Sequence, residues 1–393
     1  MQSQLTEDGN IPLPPVIKPT PYEVHACRFS SWYSTFRDMH LPDDTRKHRK
    51  NVTIESTIIS PLPPEFIRYL LSDGVRLPDC AKKVSSCMND ADENADDEWD
   101  SPGEDDDEEE EKFSFPSLTE EIQATINALG GDANKGCMPK LNWSSPKDAS
   151  WINQSTLKCA KAGDVYLLLK SSEFVAFDLE RAWKDVENDV ASDMETPSFA
   201  NKDEQKFELV LRKWCNLHPS MEFRCFIYDY EIVAISQRHP SKYYSHLQPP
   251  SEDHDHPLLA IIEKFYKKYV KGRFTNGKIH RYVLDLYIDS QQRTWIVDFN
   301  VWGSRTDGLL FDWEELTKLG LDASSAKNDR LEVEPEFRVV TKNMKSMTYD
   351  PLSSFRGPTD VMDLLGQGNG DNDGFDGPSF ENFMKQCVRP SEM

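Results

Sequence analysis

The sequence lacks the patterns that mark disulfide frameworks, cysteine metal sites and membrane spans. Its eight cysteines include no C-x-x-C pair and no histidine at zinc-site spacing, which predicts reduced thiols. No stretch approaches the roughly 18 apolar residues that a membrane-spanning helix needs. The opening residues, MQSQLTEDGNIPLPP, lack the basic and apolar regions of a signal peptide. These absences predict a cytoplasmic protein that does not enter a membrane.

Positive charge is also scarce, because 45 Lys and Arg face 68 Asp and Glu, for a formal net charge of −23. Fifteen acidic residues lie between Asp90 and Glu111, a run without Lys or Arg, and the rest of the chain carries about −8. Binding a phosphate backbone requires a Lys/Arg surface, so nucleic acid is not an expected partner. The acidic run predicts a solvated spacer; the alternative is a short motif around Trp99 that docks on a basic surface.

Common catalytic and nucleotide-binding motifs are missing as well. The chain contains no G-x-x-x-x-G-K-[ST] or G-x-G-x-x-G, which removes the two commonest nucleotide-binding folds. It also has no G-x-S-x-G, H-E-x-x-H or H-R-D pattern. What it does have is 38% hydrophobic residues, including 20 Phe, 13 Tyr and 9 Trp, which can fill a sizeable core.

Composition and periodicity divide the 393 residues into six segments. We predict a disordered leader (1–21), an N-terminal part of the main domain (22–78), an acidic disordered loop (79–112), a first lobe with phosphate-binding lysines (113–206), a second lobe (207–330) and a mostly disordered tail (331–393). The basic run Arg46–Lys50 is expected to be a solvated loop. SFPSLTEEIQATINALGG predicts a capped helix, and DVYLLLKSS, KFELVLRKW, MEFRCFIYD and YEIVAISQR predict strands.

Residues Tyr282 to Asn300 contain two apolar runs, YVLDLYI and WIVDFN, joined by a polar turn. Each run alternates, which predicts two strands with one apolar face each. A two-residue turn then fixes the pairing of the strands. With the turn at Gln291-Gln292, the pairs are Leu284 with Phe299, Leu286 with Val297, and Asp285 with Asp298.

The pair of Asp285 and Asp298 needs a physical reason, because two facing carboxylates repel each other and lose hydration. A cation between them removes the repulsion, and Asn300 adds an oxygen one step along the same face. These are hard ligands, suited to Mg²⁺ that keeps waters and shares the phosphates of a nucleotide. The alternative is a strand edge open to water, with both aspartates solvated.

A Mg²⁺–nucleotide site also needs cations for the phosphate oxygens. Lys140 lies just before Ser144 and Ser145, whose backbone N–H groups are candidates for phosphate contact, and Lys170 ends the run VYLLLK. For each lysine the alternative is a role in solubility. Arg224 lies mid-strand, where an unpaired guanidinium is costly, but an internal salt bridge explains it equally well.

The stretch FELVLRKW resembles an adenine-binding connector between two lobes. In that interpretation the backbone near Val210 and Leu211 meets the base edge, with Glu208 and Lys213 beside it. Arg238 follows the next strand but one. The order of these pieces, from lysine segments through the connector and arginine strands to the aspartate hairpin, is that of an ATP-grasp site.

Seven segments in this order, PKLNWSSPKDASWI, ELVLRKWC, EFRCF, ISQR, DLYID, DFN and LLFDWEEL, resemble the cell division cycle protein 123 family. CRFSSWYSTF, IISPLPPEFIRYLLSDG and the WDS of the acidic loop are similar to that family too. The resemblance implies an α+β, ATP-grasp-like fold, with two α/β lobes and antiparallel sheets that clasp a nucleotide. It also implies binding of ATP and Mg²⁺. The implied function is assembly of eukaryotic translation initiation factor two, in which the protein binds the C-terminal domain of the gamma subunit and promotes its joining to alpha and beta.

The resemblance also assigns site residues. The implied nucleotide pocket comprises Lys140, Trp143, Ser145, Val210, Leu211, Arg212, Lys213, Arg224 and Arg238, and the implied Mg²⁺ ligands are Asp285, Asp298 and Asn300. We add Asp148, Lys170, Glu208 and Asp285 as further nucleotide-binding candidates. Val301 stands where the family usually has Pro, which bears on how rigidly Asn300 is presented.

Three functions compete at this point. The first is an assembly chaperone with an ATP site and no catalytic residue, expected to be monomeric and to support translation initiation and the cell cycle. The second is an ATP-grasp ligase that activates a carboxylate as an acyl-phosphate. The third takes the acidic loop as the functional part and the aspartate pair as a solvated edge.

Overall fold

The structure, a computed structural model, describes residues 17–39, 52–82, 112–130, 136–182, 206–248, 256–328 and 334–342. Predictions for the leader before residue 17, for Arg46–Lys50, for the acidic run with Trp99 and for the tail after residue 342 lie outside these ranges. The described helices are α1 (Pro21–Ala26), α2 (Phe29–Arg37), α3 (Pro64–Leu71), α4 (Asp79–Lys82), α5 (Pro116–Gly130), α6 (Ala162–Lys170), α7 (Glu173–Arg181), α8 (Pro257–Phe265) and α9 (Trp313–Asn328). The strands are β1 (Ser56–Ile59), β2 (Cys137–Lys140), β3 (Leu209–Lys213), β4 (Glu222–Tyr228), β5 (Glu231–Gln237), β6 (Tyr282–Ile288), β7 (Thr294–Asn300) and β8 (Glu336–Arg338).

The chain forms two compact units. Among the described residues, the three-stranded unit takes those of Ser56–Glu180 and Phe207–Trp214, and the five-stranded unit takes those of Met1–Glu55, Arg181–Lys206 and Cys215–Asp350. This division differs from the predicted segments, because β3 is the central strand between β1 and β2. Pairing with these two strands places residues 207–214 in the unit of residues 56–180, although the sequence assigned them to the following lobe.

The three-stranded unit has antiparallel strands in the order β1-β3-β2 and a core below one sheet face. Helix α5 confirms its prediction, because Ile122, Ile126 and Leu129 recur at helical spacing and are buried in that core. Phe66 of α3 and Tyr166 of α6 lie edge to face in the same core, with ring centroids 5.2 Å apart. Aromatic packing of this kind contributes beyond the buried area alone.

Helix α6 corrects the prediction of a strand at DVYLLLKSS. All residues from Ala162 to Leu169 are buried, so the segment shows no polar face that would reveal a helical period. For a short apolar run that is buried on all sides, periodicity cannot distinguish a helix from a strand. The start signal was Asp164, whose carboxylate accepts the backbone N–H groups of Ala160 and Lys161, each at 3.0 Å.

The five-stranded unit has the strand order β7-β6-β4-β5-β8, and only the β5–β8 pair is parallel. Strands β4 and β5, both predicted as strands, form a hairpin in which Asp229 and Tyr230 have φ of 48° and 65°. Two left-handed residues are the geometry of a tight hairpin turn. Strand β8 was missed, because three residues in a segment with disordered composition carry almost no pattern.

Helices cover both faces of this sheet. On one face, Phe226 and Val283 pack in a core with Leu316 of α9. On the other face, Phe299 contacts the aromatic side of α2, with its ring 5.3 Å from that of Phe36. Within the described ranges, no helix is long and apolar enough to cross a bilayer. The predictions of an α+β fold with antiparallel sheets, and of reduced thiols at the six described cysteines, are confirmed.

Candidate functional site

The hairpin of β6 and β7 pairs Asp285 with Asp298 and Leu284 with Phe299, as predicted. Leu284 and Phe299 are buried on the apolar face, which places both carboxylates on the opposite face. Asn300 is two residues beyond Asp298 and shares that face. The sequence therefore located the carboxylate pair and its orientation.

Two details of the predicted hairpin were wrong, namely one strand pair and the length of the turn. Leu286 lies opposite Ile296 rather than Val297, because a bulge interrupts the ladder between Asp285 and Leu286. The turn is also longer than Gln291-Gln292: Asp289 N–H donates to Arg293 O at 2.9 Å, and Gln292 has a φ of 59°. The longer turn moves the register by one residue and the bulge moves it back, so the two errors cancel at the aspartates.

A row of polar side chains crosses the five-stranded sheet at this position. Each residue in the row lies directly opposite the next on a neighbouring strand. The row comprises Asp298, Asp285, Arg224, Ser236 and Arg338, from β7 to β8. Buried charges need partners, so a row of this kind is stable only if its charges alternate or are screened.

Arg224 and Asp285 are the partners at the centre of the row. Arg224 Nε and Nη2 donate to the two Asp285 oxygens at 2.7 and 2.8 Å, and Nη1 donates to Asp307 O at 2.7 Å. Burial lowers the pKa of the Arg224 guanidinium, but the nearby carboxylates, Asp285 foremost, together outweigh burial, so the pKa is raised. The alternative explanation for Arg224, an internal salt bridge, is therefore confirmed.

Arg238 extends the cluster, with Nε 3.5 Å from Asp285 Oδ2. Burial and the charge of Arg224 both lower the pKa of Arg238, only partly offset by Asp285. Its side chain keeps 21% of its surface exposed, against 4% for Arg224. The guanidiniums of Arg224 and Arg238 offset the carboxylates of Asp285 and Asp298, and Arg238 is the more exposed of the two arginines.

The metal prediction rests on Asp285, Asp298 and Asn300. Asn300 Nδ2 lies 3.3 Å from Asp285 Oδ2, and Asn300 and Asp298 are half-buried while Asp285 is buried. Each carboxylate oxygen has two lone pairs, so Asp285 can accept from Arg224 and still share a cation. The donor set of hard oxygens fits Mg²⁺ with retained waters. Among the described residues, no cluster of three or more His, Cys, Asp or Glu forms a metal site.

The three-stranded unit gathers a second set of candidates on one sheet face. Lys140 lies directly opposite Val210, and both are buried. Glu208 and Arg212, two residues to either side of Val210, alternate onto the same face and are buried too. Four predicted nucleotide-binding residues from two separate sequence segments are thus brought together.

Two other connector residues point to the opposite face. Leu211 belongs to the hydrophobic core, and Lys213 lies opposite the buried Cys137 at the end of β3. Because β3 is the central strand, its backbone groups near Val210 and Leu211 face β1 and β2. The predicted contact of this backbone with a base edge therefore competes with strand pairing.

The turn after β2 carries Trp143 and Ser145, both half-buried. Leu141 N–H donates to Ser144 O at 2.9 Å, and Lys140 Nζ donates to Trp143 O. Trp143 N–H and Ser144 N–H donate to Asp178 Oδ2, and Ser144 Oγ donates to Asp178 Oδ1. The Ser144 groups predicted for phosphate contact are thus bonded to a carboxylate of the protein.

Two predicted candidates have structural roles. Asp148 accepts Ser172 Oγ and Glu173 N–H, each at 2.6 Å, and so caps α7. Lys170 Nζ donates to Tyr69 O at 2.6 Å and to the backbone oxygen of Ser72, and so caps the end of α3. These contacts account for both residues without a nucleotide.

The sequence interpretation missed Asp178, which burial and three hydrogen bonds distinguish. A signal was available: Val175, Asp178 and Leu179 follow helical spacing, and the two apolar members are buried. An aspartate on the buried face of a helix needs partners, which marks it for scrutiny.

The described residues define an α+β protein with one antiparallel and one largely antiparallel sheet, each of which carries charged candidate residues on one face. A sequence model of the family described as D123 matches residues 46–365. The chain belongs to this family, and the resemblance noted from its motifs is confirmed.

Named relatives agree with this assignment. The chain is similar to a Translation initiation factor eIF2 assembly protein of Xenopus laevis, with 35% identity over 87% of this chain and 91% of the relative. It is 35% identical to Cell division cycle protein 123 of Yarrowia lipolytica, over 79% of this chain and 72% of the relative. The solved structure of Cdc123 from Schizosaccharomyces pombe matches with a TM-score of 0.58 and 30% identity, over 83% of this chain and 100% of that chain.

Proposed function

We propose that this protein is an assembly factor for translation initiation factor eIF2 and that it binds Mg²⁺ and ATP. Names of similar proteins support the eIF2 role, because the Xenopus laevis relative carries that role in its name and is matched over 91% of its length. The observation that carries the Mg²⁺–ATP proposal is the row in which Asp298, Asp285 and Arg224 lie side by side on neighbouring strands.

In the five-stranded unit, Asp298, Asn300 and Asp285 would hold the metal. Mg²⁺, when bound, would neutralise phosphate oxygens. Arg224 holds the Asp285 carboxylate in place with two short bonds, so Asp285 loses little conformational freedom on binding. Arg238 is the more exposed of the two arginines and lies beside the same carboxylate, which suits it to contact a phosphate.

In the three-stranded unit, Lys140, Arg212, Glu208 and Val210 form the sheet face that we assign to the nucleotide. Trp143 and Ser145 of the adjoining turn complete this set, and Lys213 stands at its strand end. Asp148 and Lys170 are left out, because helix capping explains their contacts.

We propose the C-terminal domain of the gamma subunit of eIF2 as the direct partner, in the cytoplasm. The protein would hold this subunit while it joins alpha and beta. ATP would act as a ligand that stabilises the partner-binding conformation, rather than as the substrate of a ligase. The names of the relatives support eIF2 as the partner, and the choice of the gamma subunit rests on the family resemblance.

Calorimetric titration of Mg²⁺–ATP tests the nucleotide site. We expect the wild-type chain to bind and Asp298→Asn to lose at least about tenfold in affinity, equivalent to about 1.4 kcal/mol. Asp298→Asn keeps the shape of the side chain and removes the charge that the metal needs.

Asp289→Asn is the matched control, because Asp289 is on the same hairpin but bonds to Gln291 N–H and Arg293 N–H in the turn. Equal loss in both variants would point to general damage of the hairpin. A folded wild-type protein that fails to bind Mg²⁺–ATP would refute the nucleotide proposal.

A further inference from the structure

Two aspartates of the three-stranded unit form reciprocal clamps between α7 and the segment after β2. Asp148 comes from that segment and accepts hydrogen bonds at the N-terminus of α7. Asp178 comes from α7 and accepts hydrogen bonds from the turn of that segment. Each element thus supplies the carboxylate that satisfies backbone N–H groups of the other.

The clamp by Asp178 fixes the turn at consecutive positions. Trp143 N–H donates at 3.2 Å, Ser144 N–H at 2.7 Å and Ser144 Oγ at 2.8 Å. With both carboxylate oxygens bonded, the orientation of two successive peptide groups is fixed. Lys140 secures the same turn through Trp143 O, so its ammonium and the Asp178 carboxylate both attach to residue 143.

The next residue, Ser145, differs from its neighbours. It is half-buried, and within the described part of the chain its N–H and Oγ donate no hydrogen bond. The clamp occupies the donors of Trp143 and Ser144 and leaves those of Ser145 to a ligand. An N–H and a hydroxyl on one residue beside a lysine are suited to a phosphate oxygen.

We propose that Asp178 is a positioning residue for nucleotide binding, which holds the turn so that Ser145 and Lys140 meet the phosphates. The inference rests on the proposed function. Asp178 itself is assigned no contact with the nucleotide, because both its oxygens accept hydrogen bonds from the turn and its negative charge repels phosphate. Preorganisation of this kind lowers the entropy that binding must supply.

Two measurements on the full chain test the proposal, namely calorimetric titration with Mg²⁺–ATP and hydrogen exchange of residues 141–146. For Asp178→Ala, we expect exchange in this segment to accelerate and affinity to fall at least about tenfold. Asp178→Asn keeps one acceptor oxygen, so it is expected to retain more affinity than Asp178→Ala. It also serves if the alanine variant does not fold.

Asp164→Ala is the matched control, because Asp164 is a buried aspartate of the same unit that caps α6 instead of holding the turn. It should leave both the affinity and the exchange of residues 141–146 near wild type. Faster exchange in Asp178→Ala with unchanged affinity would overturn the inference, and so would equal loss of affinity in Asp164→Ala. A wild-type chain without Mg²⁺–ATP binding would instead refute the proposed function itself.

Discussion

Arg224 and Asp285 show how a single ion pair can serve stability and a candidate site at once. Both side chains are almost fully buried, at 4% and 10% exposure, and the guanidinium contacts both carboxylate oxygens. Removing one partner of such a pair leaves a buried charge without compensation, which costs far more than the pair itself contributes. Arg224 is therefore expected to be important for the stability of the sheet, whether or not nucleotide is present.

We predict that Arg224→Met lowers the free energy of unfolding by about 3–5 kcal/mol. Urea unfolding without nucleotide measures this change. Adding Asp285→Leu to the same chain should recover part of the loss, since the carboxylate that Arg224 neutralised is then removed as well. Lys267→Met, which removes an exposed ion pair with Glu263, is the control and should unfold near the wild-type midpoint. An Arg224→Met midpoint equal to that of the control would contradict this account of the pair.

Asp178 gives a prediction about pH. Burial raises the pKa of its carboxyl to about 6 from the ordinary 3.8, and the bonds from Ser144 and the charge of Lys140 only partly oppose this. The folded state therefore holds the proton more tightly than the unfolded state. The stability that the raised pKa of Asp178 contributes is present below about pH 4 and is lost as pH rises through about 6.

The difference in free energy of unfolding between wild type and Asp178→Asn isolates this carboxyl. From pH 4 to pH 7, the wild type should lose about 2 kcal/mol relative to the variant, in which no carboxyl titrates. Urea unfolding in steps of half a pH unit gives the comparison. A difference that does not vary with pH would show that Asp178 has an ordinary pKa in the folded protein.

Among the helices and strands, periodicity predicted those that have one polar face and failed for a helix that has none. The strands of the hairpin alternate, so their pairing followed from the sequence. Helix α6 is buried all round and was taken for a strand. The bulge in β7 and the longer turn leave no mark in the alternation, since each shifts the register by one residue in opposite senses.

Helix α9 packs on β4 through a glycine, which yields a test of that contact. A Cβ at Gly320 would lie 2.6 Å from Cγ of Tyr228, at the base of the ring, where the side chain has little room to move. Gly320→Ala should gain about 1 kcal/mol in helix propensity but lose more to overpacking, for a net destabilisation of about 1–2 kcal/mol.

Thermal or urea unfolding of Gly320→Ala measures the net change. Ser325→Ala is the control on the same helix, because Ser325 is exposed and alanine favours the helix. The control should be neutral or slightly stabilising. If Gly320→Ala were as stable as Ser325→Ala, the close approach of α9 to Tyr228 would not exist in solution.

At the scale of the whole molecule, the sequence predicted the α+β class and the family, but placed the boundary between units differently. Strand β3 is separated by about 70 residues of chain from its partner β2, and no local pattern records such a pairing. The buried aspartate Asp178 was missed for a similar reason: its partners Trp143 and Ser144 are distant in sequence. The sequence could mark Asp178 as a buried aspartate that needs partners, but the partners themselves and the pairing of β3 with β2 came from the structure.

The proposed role in eIF2 assembly can be tested by mixing the separately purified alpha, beta and gamma subunits with and without this protein. With the protein and Mg²⁺–ATP, we predict binding to gamma and a faster rise of the heterotrimer on size-exclusion chromatography. Asp298→Asn should reduce the rise, and Asp289→Asn should not. If a folded wild-type chain neither bound gamma nor changed heterotrimer formation, with or without Mg²⁺–ATP, the protein would not be an eIF2 assembly factor.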